Sequence, residues 1–545
     1  GALRQGYFDG LVTRSLDRLR LAAWSTQARA RQERWPSMVA EMAEGLYARS
    51  GEPLDERLDF VYRRIAGIAD EFVRDLLSAL ERDIACGDLA GALRHLVASA
   101  PGGLLALPFF SSIRHLNRER DLLRGLLQSH RGGERSHGKR ILWFSDTLGD
   151  LNGPSTTLSQ IGWTALRHRR DITLVGSLPP GTDRSHLPPS TIDLPHVYSF
   201  RLPYYQAYQM QVPSILQSLE ILTEFEPDEI YVSTPGPVGL TGLLLAKLVG
   251  CRSVAVYHTD FPRQAEAIAD NETLVGVIED LLRLFCSLAD EVAVPTLEYI
   301  GILERRGFDP RRMRLFRRGI DVEHFRPRLD CRRHLEECFG VAPGIRLLYV
   351  GRVSKDKHLD LLADAYRALA AELPQLSLTV TGDGPHLPEL RARLAGLPRV
   401  VFTGRLGPEQ LPAIYSGADF LVFPSATDTF GMAVLEAQAC GLPALVSDVG
   451  GPKELVDHGR TGWVLRAHAL DAWVEGIRSA AVGLRDRPSV HARMRAEARR
   501  RVVEEREWTG ILRDYVEGVG LWNGGDGEDA VDDTTQPWAA EAVSR

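Results

Sequence analysis

The sequence predicts an α/β protein: two doubly wound domains in tandem, preceded by a helical extension. Three observations carry that expectation. The chain has 545 residues, 44% of them hydrophobic and 25% charged, enough for two or three domains with large cores. From residue 139 onward, short β-rich runs alternate with helical stretches, the pattern of a parallel, helix-covered sheet. Near residue 346 that pattern restarts.

In chain order, residues 1–138 read as helical. Leu11, Leu16, Leu19 and Leu21–Ala23 sit among arginines, and a second amphipathic stretch runs from Leu58 through Val61, Ile65, Ile68, Phe72, Leu76, Leu77 and Leu80. No catalytic constellation appears there, so this segment reads as an accessory domain packed on the rest of the protein or on a protein partner. Arg29–Arg34 with Trp24 and Trp35 leaves contact with a membrane surface open. Arg131–Gly138 is a polar, glycine-rich linker.

Strands are then expected at Arg140–Ser145, Ile172–Val175, Glu229–Ser233, Ser253–Tyr257 and Glu291–Val294. Helices are expected at Ser155–Arg167, Pro213–Phe225, Val238–Val249 and Leu274–Leu288. The second series places strands at Arg346–Val350, Ser377–Val380, Val400–Phe402, Phe420–Phe423 and Ala444–Val446. Its helices fall at Leu359–Glu372, Leu387–Ala395, Pro408–Ser416, Gly431–Cys440 and Lys453–Val456. Arg485–Val519 is helical and arginine-rich, and Asn523–Asp533 is an acidic, glycine-rich stretch read as disordered. The expected domains are therefore 1–138, 139–325, 326–484, a helical segment 485–522 and a tail 523–545.

The net charge of −7 argues against a dedicated nucleic-acid binder. Six cysteines show no CxxC pair and no zinc-like clustering, which fits a reducing, cytoplasmic setting. No apolar run reaches the ~18 residues of a membrane-spanning helix, and no basic-then-apolar leader opens the sequence. Of the 65 basic residues only five are lysine: Lys139, Lys247, Lys355, Lys357 and Lys453. Two of the five fall within one turn.

That turn, Gly351-Arg352-Val353-Ser354-Lys355-Asp356-Lys357, leads from a strand into a helix. Backbone N–H groups and a helix's positive end suit a phosphate there. Arg352 or Lys357 beside a phosphate oxygen would add on the order of 4 kcal/mol of Coulomb attraction at an effective dielectric near 20. A second piece, Ser425 to Glu436, places Asp428 on a loop and Glu436 two helical turns later. A carboxylate accepts two hydrogen bonds at once and suits a vicinal diol. Taken singly, Asp428 or Thr429 reads as a helix cap and Glu436 as an exposed acid.

The ordered set is more specific. It comprises GR-x4-K, Thr381–Pro385 (TGDGP), Val400–Gly404 (VVFTG), D-x7-E and Ala439–Pro443 (ACGLP). Together they resemble the retaining glycosyltransferases of family 4, which have the GT-B fold: two Rossmann-like domains facing across a cleft. The resemblance is strong over about 346–465 and continues to Trp508 and Tyr515, in a helix that crosses back to the first domain in this family. Ser145–Ser155 is similar to the family's glycine-containing phosphate loop. Tyr257–Pro262 resembles its histidine-bearing segment, and Gly319-Ile320-Asp321 with Phe325 and Pro327 resembles its interdomain linker.

The resemblance implies roles at matching positions. Arg352 and Lys357 would neutralise the diphosphate of a nucleotide sugar, and Gly153 would let the first domain approach it. Glu436 would accept ribose hydroxyls, while Asp428 with Thr429, Phe430 and Gly431 would hold the donor sugar. His258 would lie by the anomeric centre, and Arg405 and Leu406 would meet the base. The catalytic set is then His258, Arg352, Lys357 and Asp428. The family's usual E-x7-E is D-x7-E here, in a D-T-F-G version resembling mannosyl and lipid transferases.

The implied enzyme is a hexosyltransferase that needs no metal or other cofactor. Its partner is a GDP- or UDP-sugar donor, with GDP-mannose and UDP-hexoses both open, and its acceptor is a lipid, glycan or small molecule. It would be cytoplasmic, with peripheral contact at the inner membrane face left open. Rival readings are a GT-B epimerase or phosphorylase, and a catalytically weak nucleotide-sugar binder that acts through residues 1–138.

Overall fold

The structure, a computed structural model, describes residues 40–86, 107–117, 138–150, 153–202, 205–268 and 272–517. The expected helix around Leu11–Ala23, the Arg29–Arg34 stretch, most of the linker and the acidic tail lie outside them. The chain forms two compact units, Gly1–Val254 and Ala255–Arg545.

In the first unit four parallel strands follow the order β3-β2-β1-β6: β1 Ile141–Phe144, β2 Ile172–Gly176, β3 Ile192–Asp193 and, beyond a hairpin, β6 Glu229–Val232. β1 and β6 are buried throughout. That is why Ile141–Phe144 and Ile230–Val232 read as continuous apolar runs rather than alternating ones. Helices Gly153–Arg167, Ile215–Thr223 and Pro237–Val249 accompany these strands. The hairpin, β4 His196–Leu202 with β5 Tyr205–Pro213, was not anticipated. Only Pro203 and Tyr204 separate its strands, and neither residue signals a two-residue hairpin turn.

The helical extension docks on this unit. Helix Leu54–Ala85 donates from the Tyr62 hydroxyl to the Leu216 carbonyl at 2.6 Å and from Arg74 to the Val197 carbonyl at 3.2 Å. Its buried Asp70 accepts from the Ser214 hydroxyl at 2.7 Å and the Gln217 amide at 2.6 Å. Phe109, on helix Leu107–Leu116, meets Tyr62 edge-to-face at 5.2 Å. Among the described residues, no helix is long and apolar enough to cross a membrane.

The chain enters the second unit within β7, Arg252–Val256. After helices Phe261–Ile268 and Glu272–Leu288, strands β8 Glu291–Val294 and β9 Met313–Leu315 pair in parallel. A six-stranded parallel sheet follows, in the order β12-β11-β10-β13-β14-β15. Its strands are β10 Ile345–Val350, β11 Leu376–Thr381, β12 Val400–Gly404, β13 Phe420–Phe423, β14 Ala444–Ser447 and β15 Gly462–Leu465. The strand order reverses between β10 and β13, the switch point outside whose carboxyl ends such sheets bind ligands.

Among the described residues, every expected strand and all but one of the expected helices form, with shifted ends. Pro412 sits in the first turn of helix Leu411–Gly417, so that helix starts at 411 rather than 408. Gly451–Leu455 is a 3₁₀ turn rather than an α-helix. Besides the β4–β5 hairpin, strands β3, β9 and β15 and helices Phe261–Ile268, Leu297–Arg305, Cys331–Phe339 and Leu470–Asp486 are additional.

Candidate functional site

At the end of β10 the chain turns at Gly351 (φ +153°) into the GR-x4-K segment. The TGDGP segment after β11 is folded directly against it. Gly351 N–H donates to the Thr381 carbonyl at 3.0 Å, and Val353 N–H to the Asp383 carbonyl at 2.9 Å. A Cβ on Gly382 would lie 1.9 Å from the Gly351 carbonyl oxygen, and one on Gly384 would lie 2.3 Å from that of Val353. Two backbones therefore touch where no side chain fits, and this is the physical content of that glycine pattern.

Lys357 ends a 3₁₀ turn, Lys355–Lys357, and His358 follows at φ +52° to start helix Leu359–Ala370. The ammonium donates to Asp428 at 2.9 Å and lies 3.2 Å from Asp356. Burial alone would push the lysine down, but attraction to Asp428 and Asp356 outweighs it and raises its pKa. Burial likewise opposes ionisation of Asp356, yet Lys357 holds its carboxyl below the usual range. Arg352 is exposed, and among the described residues its guanidinium has no ion-pair partner. The two basic residues of the motif thus differ: one is held against carboxylates, the other faces solvent.

The loop bearing Asp428 is fixed at several points. The Thr427 hydroxyl donates to the Asp356 carbonyl at 3.0 Å, and Gly451 N–H donates to the Asp428 carbonyl at 2.8 Å. Tyr299 and Arg263 donate to the carbonyls of Thr427 and Ala426. Gly431 at φ +94° turns the chain into helix Met432–Ala439, packed so closely on Pro452 that a Cβ would sit 2.9 Å from it. Phe430 is buried. Glu436, within that helix, accepts from the Tyr415 hydroxyl at 2.7 Å. Burial pushes its carboxyl up to about 7, against the lowering effect of that hydrogen bond.

His258 follows β7 and is buried. Its carbonyl accepts from the Thr429 hydroxyl at 2.7 Å, which joins the histidine segment to the Asp428 loop. Its Nδ1 lies 2.8 Å from the Arg318 guanidinium, and its ring meets Phe316 edge-to-face at 5.4 Å. Burial, then the positive charge of Arg318, hold the imidazole well below its ordinary pKa. Arg318 is 3% exposed, and burial pulls it down to about 10 against the attraction of Tyr515 and Asp428.

The second unit thus brings His258, Lys357, Asp428, Thr429, Phe430, Gly431 and Glu436 into one connected set around the ends of β10 and β13. Arg405 is exposed and Leu406 half-buried after β12. Gly153 belongs to the first unit, where it opens helix Gly153–Arg167. Asp356, Tyr415 and Arg318 were missed by sequence reasoning. Asp356 could have been found from its place between the two lysines. Arg318, one of a pair of arginines in an arginine-rich chain, gave no local signal.

Residues 152–324 match the family described as Glycosyltransferase Family 4, and residues 344–481 match Glycosyl transferases group 1. A GDP-mannose-dependent alpha-mannosyltransferase of Mycobacterium tuberculosis is 30% identical over 380 residues, covering 68% of this chain and 93% of that protein. The chain belongs to glycosyltransferase family 4. This glycosyltransferase is also 28% identical over 333 residues to sulfoquinovosyl transferase SQD2 of Arabidopsis thaliana; the match spans 59% of the chain and 63% of that relative's length. The structure of Anabaena HepE in complex with UDP and glucose superposes with a TM-score of 0.55 at 19% identity, over 70% of this chain and 99% of that one. The glycosyltransferase has the GT-B fold and is an enzyme of the hexosyltransferase class.

Proposed function

We propose that this glycosyltransferase moves a hexose from a nucleotide-diphosphate sugar, GDP-mannose or a UDP-hexose, to a lipid, glycan or small-molecule acceptor, with retention of anomeric configuration and no required metal. The observation that carries the reading is the placement of Lys357. A scarce lysine ends the turn at the sheet's switch point, charged, and within reach of the loop that carries Asp428. There Lys357 and the exposed Arg352 neutralise the departing diphosphate, a task otherwise given to a divalent cation. A compact ammonium suits a phosphate oxygen as a point charge.

In this reading Asp428 leaves Lys357 to take sugar hydroxyls when donor arrives, with Thr429, Phe430 and Gly431 lending backbone groups. Glu436 accepts the ribose hydroxyls, His258 stands by the anomeric carbon, and Arg405 and Leu406 border the base. Gly153 is the phosphate-loop glycine of the first unit. The mannosyltransferase relative supports GDP-mannose, and the Anabaena structure supports a uridine donor.

Thermal shift with GDP, UDP, GDP-mannose and UDP-glucose tests the donor class, since a ligand at a hundred times its Kd stabilises the fold by about 2.7 kcal/mol. A rise in Tm with one nucleotide family and its sugar is expected. No shift with any of the four sinks the reading.

A further inference from the structure

A guanidinium carries five N–H donors and no acceptor. At 2.8 Å from Arg318, Nδ1 of His258 is therefore the accepting nitrogen, with its lone pair directed at the arginine. A neutral imidazole that accepts at Nδ1 bears its hydrogen on Nε2. The more usual second partner of a functional histidine is a carboxylate or carbonyl, which accepts a hydrogen bond from Nδ1–H and imposes the opposite tautomer.

Arg318 is held rigidly for this task. Its guanidinium carbon lies 5.2 Å from the Phe430 ring centroid and 5.7 Å from that of Phe316. Among the described residues no carboxylate is in ion-pair contact with it, and its Nε has no partner. Its chain neighbours are clamped: Tyr515 donates to the Arg317 carbonyl at 3.0 Å, and Ile320 N–H to that of Arg506 at 2.8 Å. An arginine kept buried with no acid in contact among the described residues needs another reason to be there.

We infer that Arg318 is a positioning residue for His258: its guanidinium, seated against Phe316 and Phe430, fixes the imidazole as the tautomer protonated on Nε2. The ring is thereby a hydrogen-bond donor at Nε2 and not an acid–base shuttle. The inference rests on the reading that puts His258 beside the transferred sugar.

The charged and titratable groups around the pair are consistent with a ring that stays neutral. Asp428 and Tyr515 face Arg318 from the loop and from the C-terminal helix Trp508–Glu517. The Arg506 guanidinium also lies over the Phe430 ring, 5.8 Å from its centroid. Asp260, the nearest acid in sequence, is taken by Arg306 at 2.7 Å.

The test is ¹⁵N–¹H correlation of the imidazoles in the full chain labelled at histidine, with His258 assigned by loss of its signals in His258→Gln. The expected wild-type spectrum has the His258 proton on Nε2 and no titration between pH 5.5 and 8.5. Arg318→Lys, which keeps a charged donor, should retain that pattern. Arg318→Met should bring titration into the range or populate the Nδ1–H form. It should also give hydrolysis of GDP-mannose or UDP-glucose a kcat that is at least tenfold lower and falls with acid, while KM stays within about threefold. A wild-type proton on Nδ1, or an Arg318→Met spectrum and kcat profile identical to wild type, overturns the inference. Should Arg318→Met fail to fold, the wild-type and Arg318→Lys spectra decide. If neither sugar nucleotide binds wild type, the proposed function fails while the spectra still judge the tautomer.

Discussion

Two cations of this glycosyltransferase are held in opposite ways. Lys357 is answered by two carboxylates and keeps a share of solvent, whereas Arg318 is buried against two aromatic rings and a neutral imidazole. The first arrangement suits exchange: a phosphate can replace Asp428 with little change in local charge balance. The second suits permanence, since a buried guanidinium that loses its few contacts is left uncompensated. A mobile charge and a fixed one thus serve neighbouring parts of a single loop.

Removing the exchangeable cation should have the largest consequence. Lys357→Ala is expected to cost about 3 kcal/mol of transition-state stabilisation, roughly a hundredfold in kcat, with a small change in unfolding free energy. A variant that binds donor normally and turns over at wild-type rate would break the comparison. Lys357→Arg sharpens it, because partial activity would separate charge from the compact ammonium.

The fixed cation should answer instead in stability. A Cβ on Gly319 would lie 2.6 Å from Trp508 and 3.0 Å from the Arg506 carbonyl oxygen. Gly319→Ala should therefore lower the unfolding free energy by about 2 kcal/mol, measured in a urea titration. An unchanged midpoint would show that the Arg318 segment gives way easily.

Glu436 adds a pH arm on the exchangeable side. With its carboxyl at about 7, protonation below that pH removes an acceptor for ribose hydroxyls, so donor Kd should rise up to tenfold per pH unit on acidification. Because its folded value is raised above the ordinary 4.5, the sign for folding is opposite. The stability it contributes is complete below about pH 4.5 and is lost, to roughly 3 kcal/mol, as pH rises through 7. Glu436→Gln should then be more stable than wild type above pH 7 and bind donor with a flat pH profile, as calorimetry would register.

In stability, the smallest effect should come from Asp428→Asn. Its partner Lys357 still has Asp356, so the loss in stability should stay within about 1 kcal/mol. A double-mutant cycle with Lys357→Ala measures the coupling directly.

The tandem α/β architecture was legible because buried parallel strands such as Leu421–Phe423 and Ala444–Val446 are unbroken apolar runs punctuated by glycine. The TGDGP and GR-x4-K segments were legible for a similar local reason: close backbone contact demands glycine at fixed places. What stayed hidden depended on contacts distant in sequence. Nothing near Arg318 reveals that it meets His258 sixty residues earlier, and nothing near Lys357 reveals that Asp428 holds it before any donor arrives. The β4–β5 hairpin was hidden because Pro203-Tyr204, between its strands, is neither an Asn-Gly pair nor one of the Gly-led pairs that mark a two-residue hairpin.

The clamp on residues 317–320 also orders events in time. Arg506, Trp508 and Tyr515 are about two hundred residues downstream of the segment they hold. During synthesis, the setting of Arg318 and His258 cannot be completed until the helix that carries Trp508 and Tyr515 has left the ribosome. A nascent chain stalled near residue 500 would already contain Lys357, Asp428 and Glu436 yet lack a finished histidine pocket, so helix Trp508–Glu517 sets when that pocket is completed.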